Sequence, residues 1–201
     1  MANYHYYSEN EDGLKSDPKA YTYYFKNHKF TFKTDNGVFC KNYLDFGTFT
    51  LLNYFVPNQI ELPILDVGCG YGPISIIINK IHNKAVVGID INERAVNLAN
   101  ENLKLNDVQN VKIFKSDIYS NVDVNQKFSS IVTNPPIRAG KSVVFSIYDG
   151  AYERLAEGGE LWVVIQKKQG APSTKKHLEE LFGNAEVVGK ESGYYIIKSV
   201  R

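Results

Sequence analysis

Between an apolar run, Ile64-Leu65-Asp66-Val67, and a second one that begins at Pro73, the chain places Gly68-Cys69-Gly70-Tyr71-Gly72. Glycines at alternate positions let the backbone turn tightly and approach a ligand closely, which side chains would obstruct. Pro73 suits the first position of a helix, where its missing N–H costs nothing. The segment predicts a buried strand, a tight turn and a buried helix carrying Ile74, Ile76, Ile77, Ile78 and Ile81. A glycine turn of this kind between a buried strand and a buried helix points to an α/β chain.

The pattern continues. Ala85 to Ile89 reads as a strand ending at Asp90, and Asn92 as the N-cap of a helix with Ala95, Leu98, Ala99 and Leu103 on one face. Val111 to Phe114, Phe128 to Thr133 and Leu161 to Ile165 read as further strands. Helices are expected from about Ser142 to Ala156, stopping at Gly158-Gly159, and from Lys175 to Phe182. Alternating strands and helices imply a parallel sheet covered on both faces. Glu186 to Val188 and Tyr194 to Val200 form a last pair, joined too closely for a crossover, so they should pair antiparallel at one end of the sheet. Before this core, residues 1–19 read as an arm that Tyr4, Tyr6 and Tyr7 could dock. Tyr21 to Phe25 and Lys29 to Thr34 form a hairpin, and Asp45 to Val56 is helix-compatible.

The expectation is one α/β domain over residues 1–201, with a doubly wound, mostly parallel seven-stranded sheet and a small N-terminal hairpin. Residues 1–60 supply arm, hairpin and helix, and residues 61–201 the core. A length of 201 residues suits one domain. A net charge of +1 excludes a broadly basic nucleic-acid coat and an acidic tail, so any nucleic acid must be held locally. Two cysteines make neither a disulfide framework nor a zinc site, and no metal is expected. The N-terminus lacks a basic and apolar leader, and no apolar stretch approaches the ~20 residues of a membrane span. A cytoplasmic setting with no membrane partner follows as the default. Oligomeric state stays open.

The glycine turn differs from a dinucleotide fingerprint, which requires its third glycine where Pro73 stands. Asp66, just before the turn, would repel a pyrophosphate, so the ligand should carry a positive group such as an ammonium. Asp90, at the end of the second core strand, suits an acceptor for ribose hydroxyls. Asp117, just after the third, could accept from an adenine amine. Ligands of open α/β sheets bind at the carboxyl ends of strands. A nucleoside with a zwitterionic tail meets all three demands, and that ligand is S-adenosylmethionine. The expected cofactor site comprises Asp66, Gly68, Cys69, Gly70, Gly72, Asp90, Ile91, Asp117, Ile118 and Asn134. Asn134-Pro135-Pro136-Ile137 follows the fourth core strand. Its prolines remove amide donors, leaving the Asn134 side-chain oxygen and the Pro135 carbonyl as rigid acceptors. That array would hold the two N–H bonds of an NH₂ group and turn its lone pair outward.

These segments together resemble class I S-adenosylmethionine-dependent methyltransferases acting on planar NH₂ groups. Gly37-Val38-Phe39, Asp45-Phe46-Gly47-Thr48 with Leu51-Leu52, and Arg138-Ala139-Gly140-Lys141 after Asn-Pro-Pro narrow the resemblance to the methyltransferase small-domain family. That family includes guanine-N2 methyltransferases of small-subunit ribosomal RNA. The resemblance implies methyl transfer to a guanine amine of ribosomal RNA or the small subunit, with Asn134 and Pro135 catalytic. Pro136, Ile137, Arg138 and Lys141 would contact substrate. Relatives acting on adenine or glutamine carry an aromatic where this chain has Ile137, which leaves stacking to Phe39, Phe46 or a tyrosine. A protein amide, a small molecule and a non-catalytic cofactor- or RNA-binding module are the alternatives. Lys167-Lys168 and Lys175-Lys176 read equally as phosphate contacts or as a solvated face. Cys69 reads as packing, Cys40 as a small buried residue and Trp162 as core.

Overall fold

The computed structural model describes residues 15–38 and 43–201. The docking of Tyr4, Tyr6 and Tyr7, stacking by Phe39 and burial of Cys40 lie outside the described residues. The elements run β1 (Lys19–Phe25), β2 (His28–Thr34), α1 (Phe46–Tyr54), β3 (Ile64–Val67), α2 (Pro73–His82), β4 (Val86–Asp90), α3 (Glu93–Leu105), β5 (Val111–Lys115), β6 (Phe128–Thr133), α4 (Lys141–Arg154), β7 (Leu155–Gln166), α5 (Ala171–Phe182), β8 (Glu186–Glu191) and β9 (Tyr194–Val200).

The seven-stranded sheet has the order β5-β4-β3-β6-β7-β9-β8. The strands from β5 to β7 are parallel, and β9 pairs antiparallel with both β7 and β8. Strand side chains alternate between faces, and here each face meets helices. Ile64, Trp162, Val164 and Ile196 lie in a cluster with Leu51, Ile76, Ile77, Ala95 and Ala99, so α1, α2 and α3 cover one face. Leu65, Val67, Val163 and Ile197 lie with Ile147, Tyr148, Ala151 and Leu178, so α4 and α5 cover the other. The chain changes direction across the sheet between β3 and β6, which places the crevice there.

The hairpin turns through Lys26 and Asn27, both left-handed, at φ 45° and 64°. It docks on α3 through paired amides. Asn106 Oδ1 accepts from Thr31 N at 2.9 Å and its Nδ2 donates to Thr31 O at 2.8 Å. Asn102 does the same for Lys33 at 2.7 and 2.9 Å. Four helical residues advance ~6 Å and two strand residues ~6.8 Å, so the two amides meet the unpaired edge of β2 almost in register.

Several boundaries differ from the sequence reading, most of them by one or two residues and β7 by six at its start. Helix α4 stops at Arg154, not at Gly158-Gly159, because Leu155 already pairs with Phe128 in the sheet. The glycines instead sit in a bulge of β7. A Cβ on Gly159 would lie 2.9 Å from Ala156 O and 3.1 Å from Ser129 O. Helix α5 begins at Ala171, four residues early, with Pro172 in its first turn. Strand β8 runs to Glu191, and the turn into β9 is only Ser192-Gly193, with φ 46° and 83°.

Candidate active site

The carboxyl ends of the parallel strands open onto a cavity of about 370 Å³, ordinary for a small-molecule site. The segments after β3, β4, β5 and β6 line it, joined by Gly37 and Val38 after the hairpin, Asp45 and Thr48 of α1, Gln166 and Gln169 after β7, and Tyr194 of β9.

Gly68 and Gly70 are left-handed, at φ 76° and 56°, and a Cβ on either would meet no protein atom within 4 Å. Both line the cavity, so bare backbone faces open space that a side chain would fill. Gly72, at φ 94°, has another duty: its Cβ would lie 3.2 Å from Ala99 Cβ, so it packs the start of α2 against α3 and lies off the cavity wall. Cys69 lines the cavity between the two glycines while its side chain is buried against Gly88, and burial pushes its thiol well up, which leaves it without thiolate character.

Asp90 holds the turn in shape. Its Oδ2 accepts from Gly70 N at 2.8 Å and its Oδ1 from Asn92 N at 2.9 Å. Burial raises its carboxyl above the usual range while these amides oppose the shift. Ile91 lines the wall beside it.

Asp66 takes a different position from the one its neighbours suggest. It shares the α2 face of β3 with Ile64, where its Oδ2 accepts from Ser75 N at 3.1 Å and Ser75 Oγ at 2.6 Å. It is fully buried and absent from the cavity wall. Its Oδ1 has no hydrogen-bond partner among the described residues, and burial pushes the carboxyl up to about 7. Asp117 is exposed and outside the wall, although Ser116 and Ile118 on either side line it. Ile118 is left-handed at φ 48°, rare for a β-branched residue. Ser116 Oγ donates to its carbonyl at 2.8 Å and helps hold the strained turn against the cavity.

Asn134, Pro135, Pro136, Ile137 and Arg138 all line the cavity. The Asn134 amide donates from Nδ2 to Asp45 Oδ1 at 3.2 Å and to Thr48 Oγ1 at 3.1 Å. A carboxylate only accepts, so Asp45 assigns the amide orientation and leaves the Oδ1 end for a ligand. Asp45 is itself fixed, as the N-cap of α1 through Thr48 N at 3.1 Å. The Pro135 carbonyl already accepts from Ile137 N at 2.9 Å. That bond closes an inverse γ-turn on Pro136, at φ −75° and ψ 80°, and one lone pair remains for a ligand.

Lys141 lies beside the main cavity, in a smaller one that shares Ile137, Ile165 and Gln169 with it, and its ammonium sits 4.8 Å from the Phe145 ring centre. Arg138 is exposed on the rim, as are Lys167 and Lys168, which lie between the wall residues Gln166 and Gln169. Lys175 and Lys176 instead pair with Glu179 and Glu180 one turn on, a solvated helix face. Gln166 and Tyr194 carried no site role in the sequence reading, while Thr48 stood there only in the Asp45-Phe46-Gly47-Thr48 segment and Asn92 only as a helix N-cap, yet all four line the cavity. The local signals were the N-cap spacing of Asp45 to Thr48 and of Asn92 to Ala95.

The family model of the methyltransferase small domain matches residues 29–198. The chain belongs to the methyltransferase small-domain family. Its fold and cofactor are therefore those of a class I S-adenosylmethionine-dependent methyltransferase, and the open glycine cradle beside Asp90 fits that cofactor. An uncharacterized protein of Bacillus subtilis (strain 168), YbxB, is 52% identical over 196 residues, 97% of each chain. Ribosomal RNA small subunit methyltransferase C of Enterobacter sp. (strain 638) is 31% identical over 175 residues, 85% of this chain and 49% of that one. The solved structure of T. thermophilus 16S rRNA N2 G1207 methyltransferase (RsmC), in complex with AdoMet and guanosine, superposes with a TM-score of 0.84 at 24% identity, over 94% of this chain and 52% of that one. This small-domain methyltransferase thus spans about half the length of the ribosomal RNA relatives. No helix among its described residues is long and apolar enough to cross a membrane.

Proposed function

We propose that this small-domain methyltransferase methylates the exocyclic N2 amine of a guanine in small-subunit ribosomal RNA. The observation that carries the reading is the pinned Asn134 amide, which offers its oxygen to the cavity beside the Pro135 carbonyl. The ribosomal RNA relatives support guanine as the base, and Arg138, Lys141, Lys167 and Lys168 gather positive charge at one rim of a nearly neutral chain.

S-adenosylmethionine supplies an electrophilic methyl group on its sulfonium. Gly68, Gly70, Asp90 and Ile91 would hold the nucleoside end, with Ser116 and Ile118 beside the base. Asp66 acts from beneath, through Ser75, to fix the start of α2 under the turn. The guanine N2 lone pair is conjugated into its ring and is a poor nucleophile. Accepting both N–H bonds favours a pyramidal nitrogen and frees that pair. The methylated nitrogen is then strongly acidic and loses its proton to water, so no general base with a tuned pKa is required. Alignment supplies the catalysis, and well-oriented reactants can lower a barrier by ~7–11 kcal/mol. Arg138 and Lys141 would hold flanking phosphates while the target base leaves its stack.

The test is transfer of labelled methyl to naked ribosomal RNA, isolated small subunits and ribosomal protein, all from cells lacking this protein. Label that digests to N2-methylguanosine is the expected result, and the better RNA acceptor identifies the assembly stage. Label in protein alone would replace the reading with methylation of an amide.

A further inference from the structure

The acceptor site built around Asn134 lacks a ring after Pro136, because that position is Ile137. A flipped base loses its stacking partners in the helix and needs a replacement surface. We propose that Tyr194, backed by Phe46, is the face on which the acceptor base stacks. The proposal rests on the reading of the acceptor as a nucleobase.

Three observations converge on this pair. Tyr194 is the first residue of β9, and since β9 runs antiparallel to β7 and pairs Tyr194 with Gln166, it stands at the carboxyl edge of the sheet. Tyr194 and Gln166 both line the cavity that holds Asn134. Next, the Phe46 and Tyr194 ring centres are 5.6 Å apart at 52°, an ordinary tilted aromatic contact. Phe46 is 38% exposed, so its ring is only partly spent on the core. Finally, Gly47 brings this pair close to the acceptor amide. A Cβ there would lie 2.9 Å from Tyr194 Cε1 and 3.0 Å from Asp45 Oδ1, the atom that orients Asn134. A side chain at 47 would force either the ring or the start of α1 to shift. The ring, the helix cap and the amide form one assembly, with the glycine as its clearance.

A base stacks on a ring whatever its identity. Tyr194 would therefore set the affinity for a planar base, while the Asn134 and Pro135 acceptors select its amine. The competing account is that Tyr194 only packs α1 on β9. Tyr194→Leu separates the two, since leucine keeps an apolar side chain for packing but has no ring.

The experiment uses the full chain, saturated with S-adenosylhomocysteine for the binding arm and supplied with S-adenosylmethionine for the turnover arm. It measures equilibrium dialysis of labelled guanosine, adenosine and cytidine, alongside KM and kcat for methyl transfer to isolated small subunits. Wild type, Tyr194→Leu, Tyr194→Phe and Tyr194→Trp are compared, with melting temperature and S-adenosylhomocysteine affinity as controls. Tyr194→Leu should weaken guanosine binding and raise KM by about ten-fold or more, with both controls held. Phenylalanine and tryptophan should restore both. If wild type prefers another nucleoside and Tyr194→Leu loses it, the platform stands and the guanine reading falls. If wild type methylates small subunits and Tyr194→Leu leaves KM and nucleoside binding unchanged, the platform is wrong and the reaction stands. If no nucleoside binds and no RNA is labelled, both are overturned.

Discussion

Asp45 and Asn134 lie 89 residues apart in sequence and meet at 3.2 Å, the carboxylate accepting from the amide. The same Asp45 oxygen accepts from Thr48 N at 3.1 Å and so caps α1. One carboxylate thus ties the N-terminal helix to the segment after β6 and decides which end of the Asn134 amide faces the cavity. Asp45→Ala should release that amide. A misplacement of this kind costs about 10²-fold in rate, while loss of the cap costs about 1 kcal/mol. Single-turnover methyl transfer is expected to fall by that factor, with S-adenosylmethionine affinity within a few fold of wild type. Asp45→Asn keeps a capping oxygen and should fall less. A normal rate in Asp45→Ala would separate the cap from catalysis.

Asn134→Ala removes the proposed acceptor itself. Transfer should be abolished while calorimetric titration still shows S-adenosylmethionine bound within a few fold. Near-normal turnover would end the role given to Asn134.

Gly47→Ala tests the clearance beside Tyr194. Alanine is the better helix residue by about 1 kcal/mol, so on propensity alone the variant would be more stable. Its Cβ would stand 2.9 Å from the Tyr194 ring, however, and one of the two must move. The expected result is a raised acceptor KM with little change in melting temperature. An unchanged KM would show that the ring can shift without loss.

Strands β3, β6 and β9 were legible to the residue, because each is a short apolar or β-prone run closed by turn residues. The cavity wall was legible where glycine, proline or an acid follows a strand: Gly68, Gly70, Asp90 and Asn134 through Ile137 all line it. What the sequence hid depends on direction or distance. Asp66 adjoins the turn, yet strand alternation turns it toward Ser75 rather than the cavity. Tyr194 reaches the carboxyl edge only because β9 runs backwards beside β7, which no local pattern encodes. Gly158-Gly159 resembled a helix stop and proved to be a bulge, since strand pairing by Leu155 overrode it.

Asn102 and Asn106 were equally invisible, being polar residues on a helix whose partners lie 69 and 75 residues away. Asn102 also donates to Tyr71 O at 2.9 Å, so it joins the hairpin to the glycine turn. Asn102→Ala strands several buried backbone groups, each costing about 1–3 kcal/mol. Urea denaturation should show a loss of roughly 2–4 kcal/mol on that basis, with cofactor affinity reduced as well. A loss in stability without any change at the cofactor would confine Asn102 to the hairpin.

The pH dependence of stability should identify Asp66. Its carboxyl is raised to about 7 by burial, against the Ser75 donors, whereas in an unfolded chain it titrates near ~3.9. Between those values the folded protein keeps a proton that the unfolded chain has lost. Stability must therefore fall as pH rises through that window and level off above about 7. At 1.36 kcal/mol per unit the ceiling is roughly 4 kcal/mol, and Asp90, also raised by burial, adds in the same direction. Asp66→Asn keeps an acceptor for Ser75 and removes the titration. Urea denaturation at pH 5 and pH 8 should show wild type losing stability between them and Asp66→Asn losing clearly less. Equal losses in the two proteins would assign the proton to another group.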